Sequence, residues 1–250
     1  MRTLKSIRDS HIGKKYKTKQ GYIATILEYI NKNDILIVFD DGVEVRCMFE
    51  NLKRGSVKNP YHKSVYGIGF IGIGKYKSCK NGVKNTTYVT WSGMLRRCYN
   101  ERERSKQESY KNCLVSKEWH NFQNYAEWYE KNYVEEFEMD KDILIKGNKI
   151  YSPETCCFIP QEINTIFGNR EKSRGKYPIG VRLSGKKYHA RLFKNKKYYH
   201  LGTFDTPEEA FQAYKVAKEV YIKEVADKWR KKIIDKVYQA MINFQINITD

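Results

Sequence analysis

The sequence predicts an α+β, multidomain protein, on three observations. Short runs rich in β-branched and aromatic residues fill positions 1–57, whereas apolar residues recur at helical spacing in the middle of the chain. Near the C-terminus, three strand-like runs lead directly into a helical pattern. A chain of 250 residues is also long enough for two or three domains of ordinary size.

The charge balance predicts a polyanionic partner. Lys and Arg total 47 against 29 Asp and Glu, which gives a net charge of +18. Hydrophobic residues make up 40% of the chain and aromatic residues 14%, which excludes a disordered basic tail. No apolar run approaches the ~20 residues of a spanning helix, and no strongly basic amphipathic helix favours a membrane surface. We therefore expect a cytoplasmic protein that binds nucleic acid, with no membrane partner and with its six cysteines reduced.

Residues 1–57 predict a small β-barrel or meander. Gly21–Tyr29, Asp34–Phe39 and Val43–Phe49 have strand composition, and Asn31–Asn33 and Asp40–Gly42 separate them as turns. The strand and turn order, with its FDDG stretch, resembles Tudor-like and KOW-like barrels. A ligand-binding role and a purely structural role are both open for this domain.

Residues 58–87 are predicted to form a Gly-rich connector. Its glycines include Gly67, Gly69 and Gly72, which match a G-x-G-x-x-G spacing, but no strand-turn-helix unit surrounds them. A dinucleotide site is therefore not expected. We interpret these glycines as turns that let the connector approach DNA or another domain closely.

Two amphipathic helices are expected next, at the start of a module that spans residues 88–170. Apolar residues recur at helical spacing in two groups, whose aromatic members we assign to a core. The first group is Trp91, Met94, Leu95 and Cys98, and the second is Trp119, Phe122, Tyr125, Ala126 and Tyr129.

The same module continues as strand, turn, strand and helix. Met139–Leu144 is strand-like, Lys146–Lys149 is a turn, Ile150–Ile159 is extended, and Pro160 lies at a helix start. With Trp119 and Phe122 upstream, this order resembles the HNH nuclease motif of phage homing endonucleases, which have a ββα-metal fold. The resemblance implies a DNA endonuclease that uses Mg²⁺ or another divalent cation to neutralise charge at the scissile phosphate.

The resemblance also implies a catalytic set of Asp140, Lys141 and Asn164. Asp140 stands at the acidic metal-ligand position and Asn164 at the helical ligand position, and both offer oxygen to a hard cation. Lys141 stands where these enzymes have the general-base histidine, and Thr155 stands where they have an asparagine. A lysine does not easily serve as a general base unless burial or neighbouring cations strongly lower its pKa. The sequence therefore leaves open whether this module cleaves DNA.

Residues 173–232 are predicted to form a DNA-binding domain. Gly180–Leu183, Lys187–Leu192 and Tyr199–Phe204 form three strand-like runs, and the box from Thr206 to Glu209 begins a helix. The LGTF, TPEEA and AY stretches resemble the plant ethylene-response-factor, or APETALA-type, domain. Between residues 170 and 236, 19 Lys and Arg face 8 Asp and Glu, a net charge of 19 − 8 = +11.

The resemblance implies that strand side chains read double-stranded DNA in the major groove. Arginine pairs bidentately with guanine, while lysines contact phosphates without reading sequence. Relative to the plant family, Arg182 is retained, Tyr188 replaces a tryptophan, and Arg191 replaces an acidic residue. The predicted contact residues are Arg182, Lys186, Lys187, His189, Arg191, Lys194, Lys196 and Lys197.

Residues 233–250 predict an amphipathic C-terminal helix. Ile233, Val237, Met241 and Phe244 recur at three- and four-residue spacing. This stripe either folds back onto the central module or forms a homodimer that reads two half-sites.

Three functions follow from these patterns. The first is a phage or mobile-element endonuclease that cuts or nicks duplex DNA, in the host cytoplasm if phage-encoded. The second is a DNA-binding regulator on an HNH-derived scaffold without catalysis. The third is a phage inhibitor of a host DNA-bound defence protein, although a DNA mimic would be acidic and this chain is basic.

Overall fold

The computed structural model describes residues 10–106, 110–167 and 176–249. The chain forms two compact units, unit 1 (Met1–Tyr129) and unit 2 (Glu130–Asp250). The boundary falls inside the predicted 88–170 module, so the two predicted helices and the strand-turn-strand-helix run belong largely to different units. The parts of the predicted domains at residues 1–9, 107–109, 168–175 and 250 lie outside the described residues.

Unit 1 begins with an open four-stranded antiparallel sheet in the order β1-β2-β3-β4. Its strands are β1 (Lys15–Lys17), β2 (Ile23–Asn31), β3 (Asp34–Phe39) and β4 (Glu44–Cys47), followed by helix α1 (Phe49–Lys53). Alternate residues of β2 and β3 are buried, and Leu52 and Val57 pack against them from outside the sheet. Because β1 and β4 do not pair with each other, the predicted β-barrel is wrong and the predicted meander is correct. In a barrel, pairing of the edge strands would close the core. Here the residues that follow β4, including Leu52 and Val57, cover it instead.

The Gly-rich connector packs onto the helices of unit 1. It contains a hairpin of β5 (Cys79–Lys80) and β6 (Val83–Lys84). A Cβ atom at Gly69 would lie 2.5 Å from Leu95 Cδ1, so the chain passes too close to this helix for any other residue. The Gln123 amide donates to the carbonyls of Ile71 and Tyr76 at 3.2 and 2.9 Å. The close approach expected of these glycines is therefore made to unit 1 itself.

The predicted amphipathic helices of unit 1 are present. The elements are α2 (Thr86–Tyr99), α3 (Glu101–Lys106), β7 (Leu114–Val115), a 3₁₀ turn (Lys117–His120) and α4 (Phe122–Asn132). All nine apolar residues of the two predicted stripes are buried. Trp119 lies in the 3₁₀ turn rather than in α4, and its carbonyl accepts a hydrogen bond from Trp91 Nε1 at 2.7 Å.

Unit 2 opens with the strand, loop and helix that the sequence predicts, except that the predicted extended run Ile150–Ile159 forms two short strands separated by a turn. Its elements are β8 (Phe137–Asp140), β9 (Ile150–Tyr151), β10 (Cys157–Pro160) and α5 (Gln161–Phe167), with β8 antiparallel to β10. The first strand ends at Asp140 instead of Leu144. Asp140 Oδ1 accepts hydrogen bonds from the backbone N–H groups of Asp142 and Ile143 at 2.8 and 2.7 Å, which turns the chain out of the strand.

A three-stranded antiparallel sheet and two helices complete unit 2. They are β11 (Val181–Ser184), β12 (Lys187–Lys194), β13 (Lys197–Phe204), α6 (Pro207–Trp229) and α7 (Asp235–Ile242), with sheet order β11-β12-β13. The predicted capping box is confirmed, because Thr206 Oγ1 accepts from Glu209 N and Glu209 Oε2 accepts from Thr206 N. None of the described helices combines the length and apolar composition that a membrane crossing requires.

One core joins all parts of unit 2. Ile159 and Ile163 from the first half of the unit share this core with Leu192 of β12, with α6 and with α7. Val237 and Met241 are 0% and 1% exposed within it. The C-terminal stripe thus folds back onto unit 2, the first of the two predicted arrangements. A homodimer through α7 stays a prediction. It would have to form through side chains other than Val237 and Met241, because these two are buried within unit 2.

Gly180→Ala is expected to destabilise unit 2 more than Gly185→Ala. Both glycines have positive φ, 79° and 62°, so alanine is strained at either position by roughly 1 kcal/mol. Only at Gly180 would the new Cβ also meet a neighbour, 2.1 Å from Tyr214 Cδ2. Urea unfolding of the two variants measures the difference. Equal losses of unfolding free energy would show that the Tyr214 ring moves aside freely.

Candidate functional site

Helix α6 covers one face of the C-terminal sheet and thereby defines the other. Ala190 and Leu192 of β12 are buried on the helix side. Because side chains alternate along a strand, His189, Arg191 and Phe193 lie on the opposite side. Cross-strand pairing adds their partners to the same side. We call this surface the outer face, and its residues are Arg182, His189, Arg191, Phe193, Tyr198, His200 and Thr203.

Planar side chains on the outer face contact one another. The ring centroids of His189 and His200 are 5.1 Å apart, and those of Phe193 and Tyr198 are 4.9 Å apart. The Arg191 guanidinium lies 5.1 Å from the Tyr198 ring centroid. A guanidinium stacked on a ring is held in place while its N–H edge stays available to acceptors. The outer face therefore presents oriented hydrogen-bond donors between aromatic surfaces.

Lysine-bearing turns lie at both ends of β12. Gly185 and Lys186 form the turn before it, and Asn195 and Lys196 form the turn after it, both with positive φ at 53° and 61°. A strand of 8 residues is roughly 27 Å long, so the two turns flank the outer face at that separation. Lys197 is exposed next to the second turn, while Lys187 forms an ion pair with Asp205.

Lys194 does not lie on the outer face. Its ammonium forms an ion pair with Glu224 of α6 and lies 4.8 Å from the Tyr221 ring centroid. The sequence grouped Lys194 with the other basic residues of β12, but its even position along the strand puts it on the helix side. In contrast, Phe193, Tyr198, His200 and Thr203 were not predicted. Strand alternation combined with the register of the Asn195–Lys196 turn would have identified Phe193, Tyr198 and His200. Thr203 lies on the outer face because the register shifts between Ala190 and Arg191, where β13 contains one extra residue.

The residues proposed as metal ligands lie around β8 and α5. Asn164 Nδ2 donates to Glu138 Oε2 at 2.6 Å, and Glu138 shares a face of β8 with Asp140 because the two are two residues apart. Burial raises the pKa of Asp140, and the backbone N–H groups of Ile143 and Asp142 oppose that rise. Glu138 was not predicted as a site residue, although its spacing from Asp140 in a strand would have indicated it.

Lys141 has a structural position in the loop that follows β8. It is 5% exposed, and its ammonium donates to the Asp142 carboxylate and to the Asn148 carbonyl, the latter at 3.1 Å. It also lies 5.7 Å from the ring centroid of Tyr151. Asn148 returns a hydrogen bond from its amide to the Lys141 carbonyl at 2.8 Å. These hydrogen bonds hold the loop closed.

The side chains of Thr155 and His120 are also engaged in hydrogen bonds. Thr155 Oγ1 donates to the Ile150 carbonyl at 2.7 Å and so fixes the loop. His120 lies in unit 1, where its Nε2 is 3.1 Å from the Val115 carbonyl, and burial lowers its pKa. Among the residues that the structure describes, no group of three or more His, Cys, Asp or Glu side chains could hold a metal ion.

No protein-family model, curated protein or solved structure matches the chain. The HNH and ethylene-response-factor resemblances therefore rest on the motifs in the sequence. The function has to be argued from the geometry of the chain's own residues.

Lys141→Met is expected to destabilise unit 2 by about 1 to 3 kcal/mol, because the Asp142 carboxylate and the Asn148 carbonyl lose a buried donor. Lys186→Met, at an exposed turn position, is the matched control and should change the unfolding free energy by less than about 0.5 kcal/mol. Urea unfolding followed by circular dichroism measures both. If the two variants lose the same small amount, the structural role assigned to Lys141 is wrong.

Proposed function

We propose that the chain binds duplex DNA through the outer face of its C-terminal sheet. The observation that carries this proposal is the arrangement of Arg182 and Arg191 on one exposed surface, with the lysine-bearing turns at both ends. Three strands spaced ~4.8 Å apart span about 10 Å, which is compatible with a major groove about 12 Å wide. Arginine there donates two hydrogen bonds to guanine, and Lys186 and Lys196 lie where phosphates would flank the sheet. Lys197 pairs with Lys194 across the strands and therefore belongs to the helix side.

The aromatic and imidazole side chains extend this surface beyond the charged residues. His189 and His200 offer ring nitrogens to base edges, and Phe193 and Tyr198 offer apolar area to sugars and thymine methyl groups. An acidic protein surface explains the outer face less well as a partner, because binding to carboxylates requires only positive charge and not oriented planar side chains. This supports DNA over the host-protein partner that the inhibitor hypothesis requires.

Arg182→Ala and Arg191→Ala should each relax preference at one or two base pairs and weaken specific binding by about 1 to 3 kcal/mol. Lys194→Gln is the matched control on the same sheet, because Lys194 pairs with Glu224 on the helix side. Selection from random duplexes, followed by titration of the selected site, measures both effects. A uniform loss across all sequences would reassign the arginine to phosphate contact, and an equal effect of Lys194→Gln would contradict the outer face as the interface.

Metal-dependent cleavage is a second candidate, favoured by the contact between Asn164 and Glu138 beside Asp140. Oxygen atoms of these three side chains would hold Mg²⁺ or another divalent cation, which would stabilise the charge on a phosphate and on its leaving oxygen. The chain's own residues would contribute positioning, through α5 and the Asp140 turn. Lys141 is committed to Asp142 and Asn148, so no base is assigned for activating water. DNA binding without cleavage is therefore the better-supported form of the proposal.

If cleavage occurs, Asp140→Ala and Asn164→Ala should each abolish Mg²⁺- or Mn²⁺-dependent nicking of supercoiled plasmid while leaving DNA affinity within about twofold. Glu208→Ala is the control, because Glu208 is an exposed carboxylate of unit 2 in α6, outside β8 and α5. Gel separation of nicked from supercoiled plasmid gives the readout. Nicking that survives both substitutions would place the active centre elsewhere. If the unchanged protein does not nick the plasmid, cleavage is rejected and DNA binding without catalysis remains the proposal.

A further inference from the structure

A second strongly basic surface lies in unit 1. From Asn51 to Asn100 the sequence contains no Asp or Glu and ten Lys or Arg residues. A stretch of 50 residues without an acid differs from the rest of this chain, where the two signs of charge are mixed. The ten cations are Lys53, Arg54, Lys58, Lys63, Lys75, Lys77, Lys80, Lys84, Arg96 and Arg97.

The β5-β6 hairpin is the exposed centre of this stretch. Its two strands are joined by Asn81 and Gly82, both with positive φ at 52° and 77°, and every residue from Cys79 to Lys84 is exposed. Val83 is 71% exposed and pairs with Lys80. A two-stranded hairpin exposed on both faces adds little to a hydrophobic core. Its side chains are therefore available for an external partner.

The hairpin is nevertheless fixed to the body of unit 1. The Asn85 side chain caps α2 by accepting from Tyr88 N at 2.7 Å, and its amide donates to the Lys77 carbonyl. The Asn85 backbone N–H donates to the Ser78 carbonyl at 3.1 Å. Both ends of the hairpin are thus held at the start of α2. A fixed element loses less conformational entropy on binding than a flexible basic tail does.

We propose that this hairpin is a second DNA contact, in which Lys77, Lys80 and Lys84 bind the phosphate backbone of duplex DNA. Within the described ranges, none of these three ammonium groups has an acidic partner. Lys84 lies 5.6 Å from the Tyr88 ring centroid, which orients its side chain without neutralising it. A single exposed valine between the lysines suits contact with sugar edges and is too little apolar surface for a membrane. This inference rests on DNA as the partner but uses residues outside unit 2.

The test is a triple variant, Lys77→Gln, Lys80→Gln and Lys84→Gln, compared with a control triple variant, Lys15→Gln, Lys17→Gln and Lys19→Gln. The control removes the same charge from exposed positions of the same unit. Binding of full-length protein to one duplex is titrated between about 50 and 200 mM salt. Each lost phosphate contact lowers the log-log slope by ~0.9, so the hairpin variant should lose about 2 to 3 units of slope and about tenfold or more in affinity at 100 mM salt. The control should keep the slope of the unchanged protein.

The alternatives are distinguishable in the same assay. If both triple variants lose the same amount of slope, the effect reflects net charge and the inference is overturned. If neither variant loses slope, the hairpin does not contact DNA and the inference is likewise overturned. Tighter hairpin-dependent binding to an RNA duplex of the same sequence would overturn the choice of DNA. The double variant Arg182→Ala and Arg191→Ala reports on the outer face separately. If it changes neither affinity nor sequence preference while the hairpin variant does, the proposed function fails and the hairpin contact stands.

Discussion

The packing of helix α6 against the C-terminal sheet is the interaction on which unit 2 depends. Tyr214 lies against the backbone of Gly180, and the apolar side of the helix fills the core beneath β12. The far end of the same helix reaches α5, where Trp229 Nε1 and Lys228 Nζ both donate to the Glu162 carboxylate at 2.7 and 2.6 Å. One helix of 23 residues therefore positions both candidate sites, because it covers the sheet at one end and holds α5 at the other.

This packing decides which cations can meet a partner. Arg191 and Lys194 lie three positions apart on one strand, and the alternation of side chains sends them to opposite faces. Arg191 stacks on Tyr198 in solvent, whereas Lys194 is occupied by Glu224. Lys141 is likewise engaged within the protein, although it is next to a proposed metal ligand. Its ammonium donates to Asp142 and to the Asn148 carbonyl and thereby stabilises the loop. Charge in the sequence is thus a poor guide to charge at a surface until each side chain has been assigned to a face.

Local patterns predicted the elements well, and the errors lie where distant residues decide. The stripe through Trp91 and Leu95 and the capping box at Thr206 depend only on residues one or two turns apart, so the sequence sufficed. The barrel failed because closure depends on whether β1 meets β4, which no local pattern encodes. Glu138 could have been found from its two-residue spacing from Asp140, but its contact with Asn164, 26 positions away, is visible only in three dimensions. Of the connector glycines, Gly69 and Gly72 are points of close approach, whereas a Cβ atom at Gly67 would meet nothing within 4 Å. The sequence did not show that the partners of these glycines lie in unit 1 itself.

The common core of unit 2 has a consequence for how this unit unfolds. Ile159, Leu192 and Val237 come from three regions that motif boundaries near residues 173 and 233 would separate, yet they are buried together. Their backbone amides are therefore expected to exchange with solvent in one cooperative event rather than module by module. A cut near residue 173 would expose Ile159 and Ile163 on one side and Leu192 on the other, so we do not expect the three-stranded sheet to fold alone with its full stability. A substitution in either half of this core is expected to change the stability of the whole unit.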